Sequence, residues 1–176
     1  MQEPFADILK VGGKSNSLWR SQEVIESVLA DHDRLDELYA CLFMPDGWAR
    51  MRAADAIEKV CRVNPAWIEQ YTDRILTDLS TSRQPSIQWH LAQIYRQIDL
   101  TLQQRQSVIL WLENLLSTVD VDWIVSANVM DTLLYFVRSN LYKKQNLERL
   151  IAVQQNHASK SVRKRCAKLL DELAAL

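Results

Sequence analysis

Glycine and proline are scarce in this chain, with three Gly and four Pro in 176 residues. Both counts lie well below average usage in globular proteins. Because hairpin turns and phosphate-cradling loops depend on glycine at positive backbone φ, the scarcity argues against a hairpin-rich fold and a glycine-loop nucleotide site. With 48% hydrophobic and 24% charged residues, the composition is otherwise ordinary. We therefore expect one all-α domain spanning residues 1–176.

Sequence signatures of catalysis and metal binding are also lacking. Cys41, Cys61 and Cys166 show no Cys-x-x-Cys spacing and fall among apolar residues, which predicts reduced core side chains. The three histidines are isolated, and neither a His-Glu-x-x-His, a Gly-x-Ser-x-Gly nor a Walker motif occurs. We therefore expect no catalytic residue, no metal and no cofactor, and a protein that is not an enzyme.

Long apolar runs are missing too, since no stretch approaches the roughly 18 uncharged residues that a membrane span needs. The N-terminus carries Glu3 and Asp7 where a secretory signal would be basic and then apolar. We expect no membrane contact and a cytoplasmic location.

Charge is almost balanced overall, at −1, but unevenly distributed. Residues 1–48 hold nine acidic and four basic side chains, whereas residues 138–176 hold nine basic and three acidic ones. Solvated helix faces are the favoured explanation of this uneven distribution. We rank the same explanation above polyanion binding for the basic cluster of the last helix. In an elongated stack the bias would leave ends of opposite sign, so a homo-oligomer assembled head to tail is a further prediction.

Apolar residues recur at helical spacing between capping signals along most of the chain. Asp33, Asp46, Asn64, Asp122 and Ser159 are predicted N-caps, and Thr101 with Gln104 forms a capping-box pattern. Proline is predicted at the first helical position of segments that begin at residues 65 and 85. A break is predicted at Gly12-Gly13, with a helix start at residues 15–17, and no segment shows strand alternation.

A repeat emerges when these helices are aligned. Ile57, Ile94, Leu133 and Leu170 take equivalent places at separations of 37, 39 and 37 residues. The run from Trp48 to Val60 resembles the second helix of a HEAT repeat, with its Met-Arg start and Ala-Ala step, and the run from Val162 to Leu170 repeats the pattern. Two-helix repeats of roughly 40 residues are typical of HEAT and armadillo solenoids.

This resemblance implies a HEAT-like α-α superhelix of three to four antiparallel helix pairs with an N-terminal capping segment. We expect the cap at residues 1–32 and repeats at about 33–62, 65–98, 101–139 and 143–176. The HEAT-like bilin lyases tend to have shorter repeats, so the spacing argues against that subgroup. HEAT arrays serve many functions, and the resemblance alone does not select one.

The second helix of each pair usually lines the concave side of such arrays. The alignment then predicts a binding surface that is polar and aromatic, made of Arg52, Asp55, Trp89, Arg96, Asn128, Asp131, Tyr135, Arg165 and Lys168. Alternatives remain open, because Trp89 would also serve as filling between neighbouring helices and Arg52 with Asp55 as a structural ion pair.

The leading functional hypothesis is a non-enzymatic adaptor or regulatory scaffold that binds a peptide or a partner helix on this surface. The alternative is a nucleic-acid-binding repair protein similar to the HEAT-like alkylpurine DNA glycosylases, for which Arg52, Trp89, Arg96 and either Asp55 or Asp131 are residues of matching type. The short chain and its acidic N-terminal half favour a protein partner over nucleic acid.

Overall fold

The computed structural model describes residues 3–10 and 18–176. These ranges contain α-helices and short 3-10 helices and no strand, which confirms the all-α prediction. The α-helices are α1 (Phe5–Lys10), α2 (Ser21–Ala30), α3 (Leu35–Ala40), α4 (Gly47–Val63), α5 (Pro65–Glu69), α6 (Thr72–Leu79), α7 (Pro85–Ile94), α8 (Leu102–Leu116), α9 (Trp123–Arg138), α10 (Lys144–Gln154) and α11 (Lys160–Ala174).

The chain divides into two compact units. Unit 1 comprises residues 1–72 and 82–99, and unit 2 comprises residues 73–81 and 100–176. The single-domain organisation and the repeat boundaries stay predictions. The predicted break at Gly12-Gly13 and the helix start at residues 15–17 lie outside the described residues, as does part of the predicted cap.

Unit 1 is built around α4, which packs against α1, α2, α3, α5 and α7. Its alanines allow this, because their small side chains let neighbouring helices approach closely. Ala49, Ala53 and Ala56 are completely buried, and so is Glu58, a charged residue whose partners are described below. The helix therefore buries polar as well as apolar faces.

Three helix starts follow the predicted chemistry. Asp46 accepts hydrogen bonds from the backbone N–H groups of Trp48 and Ala49, at 2.7 and 2.9 Å. Thr101 and Gln104 form the complete capping box of α8. Asp122 accepts from the N–H of Ile124 at 2.8 Å. These N-caps are confirmed, as are the prolines in the first turns of α5 and α7.

Other boundaries differ from the predictions. Asp31, not Asp33, caps the 3-10 helix His32–Arg34 that precedes α3. Apolar residues follow Pro65 at helical spacing as far as Leu79, which predicts one continuous helix. The chain instead forms two helices, α5 and α6, because it tightens at Tyr71, whose N–H bonds to the Ile68 carbonyl. A tertiary contact holds this turn, since the Tyr71 hydroxyl lies 3.0 Å from Asp36 Oδ1. Asn64 precedes α5 and Ser159 precedes α11, but neither side chain makes a capping bond.

Unit 2 centres on α9, which packs against α8, α10 and α11. A buried side chain of α10, Gln154, joins this helix to the end of α8 and to the start of α9. It donates to the carbonyls of Leu116 and Thr118, at 3.0 and 2.7 Å, and accepts from the Ser126 hydroxyl at 2.9 Å. Because every polar atom of this amide side chain has a partner, its complete burial is accommodated.

One arginine arrangement recurs in both units. In unit 1, Nη1 of Arg50 donates to the carbonyls of Met44 and Pro45, at 2.7 and 3.0 Å. In unit 2, Nη1 of Arg163 donates to the carbonyls six and five residues before it, at 2.6 and 2.8 Å. Both arginines stand seven residues before an aligned apolar position of the repeat, Ile57 or Leu170. Each ties the first turns of a helix to the loop that leads into it.

Candidate functional site

Two of the predicted surface residues, Arg52 and Asp55, lie inside unit 1. Arg52 is 3% exposed and Asp55 is 5% exposed. The physical reason is that α1 and α2 pack over α4, and Nη1 of Arg52 donates to the Leu9 carbonyl of α1 at 2.6 Å. The structure thus places these side chains beneath the N-terminal helices rather than on an open face.

Asp55 belongs to a polar cluster between α4 and α7. Its Oδ1 atom lies 3.3 Å from Nζ of Lys59 and 3.4 Å from Nε2 of His90. The other ring nitrogen of His90, Nδ1, contacts the Ser86 carbonyl and therefore carries a proton. His90 was not among the predicted site residues. The contact of its Nε2 atom with Asp55 links α7 to α4.

Glu58 is the second carboxylate of the cluster and has no exposed surface. Arg62 approaches one oxygen at 2.5 Å and Gln97 donates to the same oxygen at 2.9 Å, while Lys59 lies 3.1 Å from the other. Lys59 therefore bridges Asp55 and Glu58. Because two cations face two carboxylates, charge within the cluster is balanced before His90 is considered.

The hydrogen bonds of the cluster favour the ionised carboxylates. Burial alone raises the pKa of Asp55, but the hydrogen bond from His90 and the charge of Lys59 outweigh it, so its pKa lies below the ordinary Asp value. Burial likewise raises the pKa of Glu58, and the hydrogen bonds from Arg62 and Gln97 bring it below the ordinary Glu value. Both groups are anionic at neutral pH.

The two predicted residues of α7 and its C-terminal turn are half-buried. Trp89 stacks on the ring of His90, with centroids 3.4 Å apart. Arg96 follows the helix, also half-buried. The contact between Trp89 and His90 lies within α7, so both interpretations of Trp89 stay predictions.

The five predicted residues of unit 2 lie on α9 and α11, which pack against each other. We call this surface the α9–α11 face; it consists of Asn128, Asp131, Tyr135, Arg165 and Lys168, with Arg138 and Glu172 beside them. Arg165 binds Asp131 through Nε at 2.7 Å and through Nη2 at 2.5 Å. Glu172 lies 2.9 Å from Arg138 and 3.4 Å from Arg165.

Within the α9–α11 face the aromatic side chain is open to solvent. Tyr135 is 46% exposed, one helical turn from Asp131 and just under one turn from Arg138 on the same side of α9. Nδ2 of Asn128 donates to the Ile124 carbonyl at 2.9 Å, which fixes the start of the face. Lys168 projects most, with 70% of its side chain exposed.

Unit 1 also contains a pocket of about 390 Å³ beside the Asp55 cluster. Apolar side chains form most of its wall, and Asp55, Lys59 and Arg62 contribute charged groups; the apolar set is Leu18, Trp19, Ile25, Leu29 and Val63. The sequence reasoning missed this pocket because its wall combines α2 with the C-terminal half of α4. The sequence did offer a signal in Trp19, because a large aromatic side chain outside any apolar stripe calls for a structural or functional explanation.

In residues 3–10 and 18–176 no helix has the length and hydrophobicity to cross a bilayer. The same residues contain no group of three or more His, Cys, Asp or Glu side chains arranged to hold a metal ion. Comparisons with models of known protein families, with curated proteins and with solved structures give no match.

Proposed function

We propose that this chain is a HEAT-like, armadillo-like scaffold: a non-enzymatic, cytoplasmic protein-interaction module that binds a peptide or a partner helix on the α9–α11 face. The proposal rests on the repeat in the sequence and on the character of this face. It keeps five of the nine predicted surface residues as binding residues. Arg52 and Asp55 take a supporting place inside unit 1.

Packing within each unit supports the HEAT-like part of the proposal. The helices that carry Ile57 and Ile94, α4 and α7, pack against each other in unit 1. The helices that carry Leu133 and Leu170, α9 and α11, do the same in unit 2. Consecutive packing of second helices is what stacked helix pairs require, because one pair cannot bury its apolar stripe alone.

The observation that carries the binding proposal is an exposed tyrosine among charged side chains that are already held in place. Tyr135 is 46% exposed, and ion pairs join its neighbours Asp131 and Arg138 to α11. Side chains ordered before binding lose less conformational entropy when a partner docks. Exposed Tyr beside Arg is also the typical composition of an interface hot spot.

The test is partner capture followed by affinity measurement with purified proteins. Tyr135→Ala removes the exposed ring, and Trp123→Ala is the matched control, because Trp123 is a 50% exposed aromatic at the other end of α9. We expect Tyr135→Ala to weaken binding at least tenfold, about 1.4 kcal/mol, and the control to leave it unchanged. Equal affinities for wild type and Tyr135→Ala would refute the assignment of the face.

Duplex DNA is the competing ligand. Arg52, which the glycosylase alternative would need on the open surface, is bonded to the Leu9 carbonyl inside unit 1, and this disfavours that alternative. Titration of a labelled duplex at low salt decides the matter, since phosphate contacts give affinity that falls steeply as salt rises. Tight, salt-dependent binding that is lost in Lys168→Ala would replace the protein-partner proposal with a nucleic-acid one.

A further inference from the structure

The pocket in unit 1 has an apolar wall and a charged end. Its rim is formed by Leu18, Trp19 and Val63, which are 45%, 51% and 60% exposed. Large apolar side chains grouped around a concavity mark binding sites more often than scattered ones do. The volume of about 390 Å³ falls in the lower part of the roughly 300–1,000 Å³ range of small-molecule sites. The wall thus fits a compact apolar group.

The charged end presents a carboxylate that lacks one hydrogen-bond donor. The Asp55 side chain is 7% exposed, and among the described residues its Oδ2 atom has no partner. A buried polar atom without a partner is unfavourable, so the site gains from a ligand that supplies an O–H or N–H. The pocket and the unpartnered oxygen belong to the same residue, which lines the cavity.

Access to Oδ2 requires a small movement, because less than 1 Å² of this atom is accessible. Rotation of the carboxylate about its Cβ–Cγ bond, a torsion with a broad energy profile, is the movement that we invoke to present one of its oxygens to the cavity. The contacts of Oδ1 with Lys59 and His90, at 3.3 and 3.4 Å, lie at the long end of the hydrogen-bond range, so the rotation gives up less than it would with shorter bonds.

The charges around the pocket select a neutral donor. Asp55 and Glu58 are offset by Lys59 and Arg62, which approach them at 3.3 and 2.5 Å. A cationic ligand at Oδ2 would lie beside Lys59 and Arg62 and be repelled. An anionic ligand would face Asp55 itself. A donor without net charge avoids both penalties.

The rim indicates an aromatic ligand. Trp19 has a backbone φ of 44°, in the left-handed region that bulky residues rarely adopt. Such strained positions cluster at binding sites, and here the strain holds an indole at the mouth of the pocket. Aromatic rings stack favourably on such a surface, with offset or edge-to-face contacts.

We infer that the Asp55 pocket binds a neutral aromatic group that carries a hydrogen-bond donor, as a phenol or an indole does. The ring packs among Leu18, Trp19 and the other apolar wall residues, and its O–H or N–H donates to Asp55. This site lies in unit 1, and it neither needs nor includes the α9–α11 face, so each assignment fails or holds without the other.

The test uses the full chain and four probes: p-cresol, toluene, benzylammonium and N-acetyltyrosinamide. Binding is followed by NMR through the indole N–H of Trp19 and the methyl groups of Val63. We expect p-cresol to bind about tenfold more tightly than toluene, which lacks the donor, and more tightly than benzylammonium. If N-acetyltyrosinamide matches p-cresol, the pocket takes a tyrosine side chain of a polypeptide; if it does not bind, the ligand is a free phenol.

Two variants and a control locate the effect. Asp55→Asn should reduce the preference of p-cresol over toluene to about threefold or less, because the charged acceptor is lost. Leu29→Trp fills the pocket and should abolish binding with Asp55 intact. Asp171→Asn, an exposed change in α11, should leave the preference as in wild type. Equal binding of toluene and p-cresol, tighter binding of benzylammonium, or an unchanged preference in folded Asp55→Asn overturns the inference.

Discussion

Replacing Gln154 with Met should destabilise the protein far more than its small change in size suggests. Gln154 and Ser126 are completely buried, and the Gln154 side chain makes three hydrogen bonds, to Leu116, Thr118 and Ser126. Each typical bond contributes about 1 kcal/mol net, and each buried group left unpaired costs more. Met regains about 1 kcal/mol through its apolar surface. The expected loss is about 2–3 kcal/mol.

The measurement is urea unfolding followed by circular dichroism, compared with Gln155→Met at the exposed neighbouring position. The control should change the free energy of unfolding by less than about 0.5 kcal/mol, as surface substitutions usually do. If Gln154→Met stays within that same limit, the reasoning that this amide stabilises unit 2 is wrong.

A double-mutant cycle assigns the contribution of one bond. Ser126→Ala alone removes the donor to Gln154 Oε1, and in the Gln154→Met background the same change removes a hydroxyl that already lacks this partner. We therefore expect Ser126→Ala to cost about 1 kcal/mol in wild type and close to nothing, or a slight gain, in Gln154→Met. Additive effects would show that the two side chains do not interact.

Two further predictions concern helix ends. Asn140 has a φ of 57° and closes α9, where the Leu141 N–H bonds to the Phe136 carbonyl. Because valine is strained in this left-handed conformation, Asn140→Val should lower the free energy of unfolding by about 1–2 kcal/mol, measured by thermal or urea unfolding. Asn140→Gly should lower it by less than about 0.5 kcal/mol. The N–H groups of Ala49 and Trp48 hold the pKa of Asp46 below its ordinary value. Its stabilisation is therefore present above the ordinary Asp pKa and lost as pH falls through the lower folded value. Asp46→Asn should flatten the dependence of unfolding free energy on pH below about pH 4, and an unchanged slope would contradict this account.

Local features of the sequence predicted local structure well. The caps at Asp46, Thr101 and Asp122 were foreseeable because an N-cap involves residues two or three positions apart. The break after α9 was equally local, since Asn tolerates the left-handed conformation found at Asn140. In each case the residue that decides the structure lies within one turn of its partner.

The interior of unit 1 was not foreseeable in the same way. Arg52 meets the Leu9 carbonyl, 43 residues earlier in the chain, and Asp55 meets His90, 35 residues later. Periodicity places charged residues off the apolar stripe and so predicts them as exposed. Periodicity does not reveal that a second layer of helices, α1 and α2, covers that side of α4. Glu58 is completely buried too, and its partner Gln97 lies 39 residues later in the chain, beyond the reach of local spacing.

The predicted repeat would account for what the two units share, and departures from it would account for the candidate sites. Arg50 and Arg163 occupy equivalent positions and bind their loops in the same way, because that contact lies within one helix and its approach. Asp55 and Asp131 are equivalent as well, yet Asp55 is enclosed beside a pocket while Asp131 pairs with Arg165 on an open face. Aspartates at aligned positions thus have different surroundings in the two units, according to which helices pack over them. Binding in this chain should therefore be sought where neighbouring helices cover equivalent positions unequally, which points to the Asp55 pocket and to the α9–α11 face.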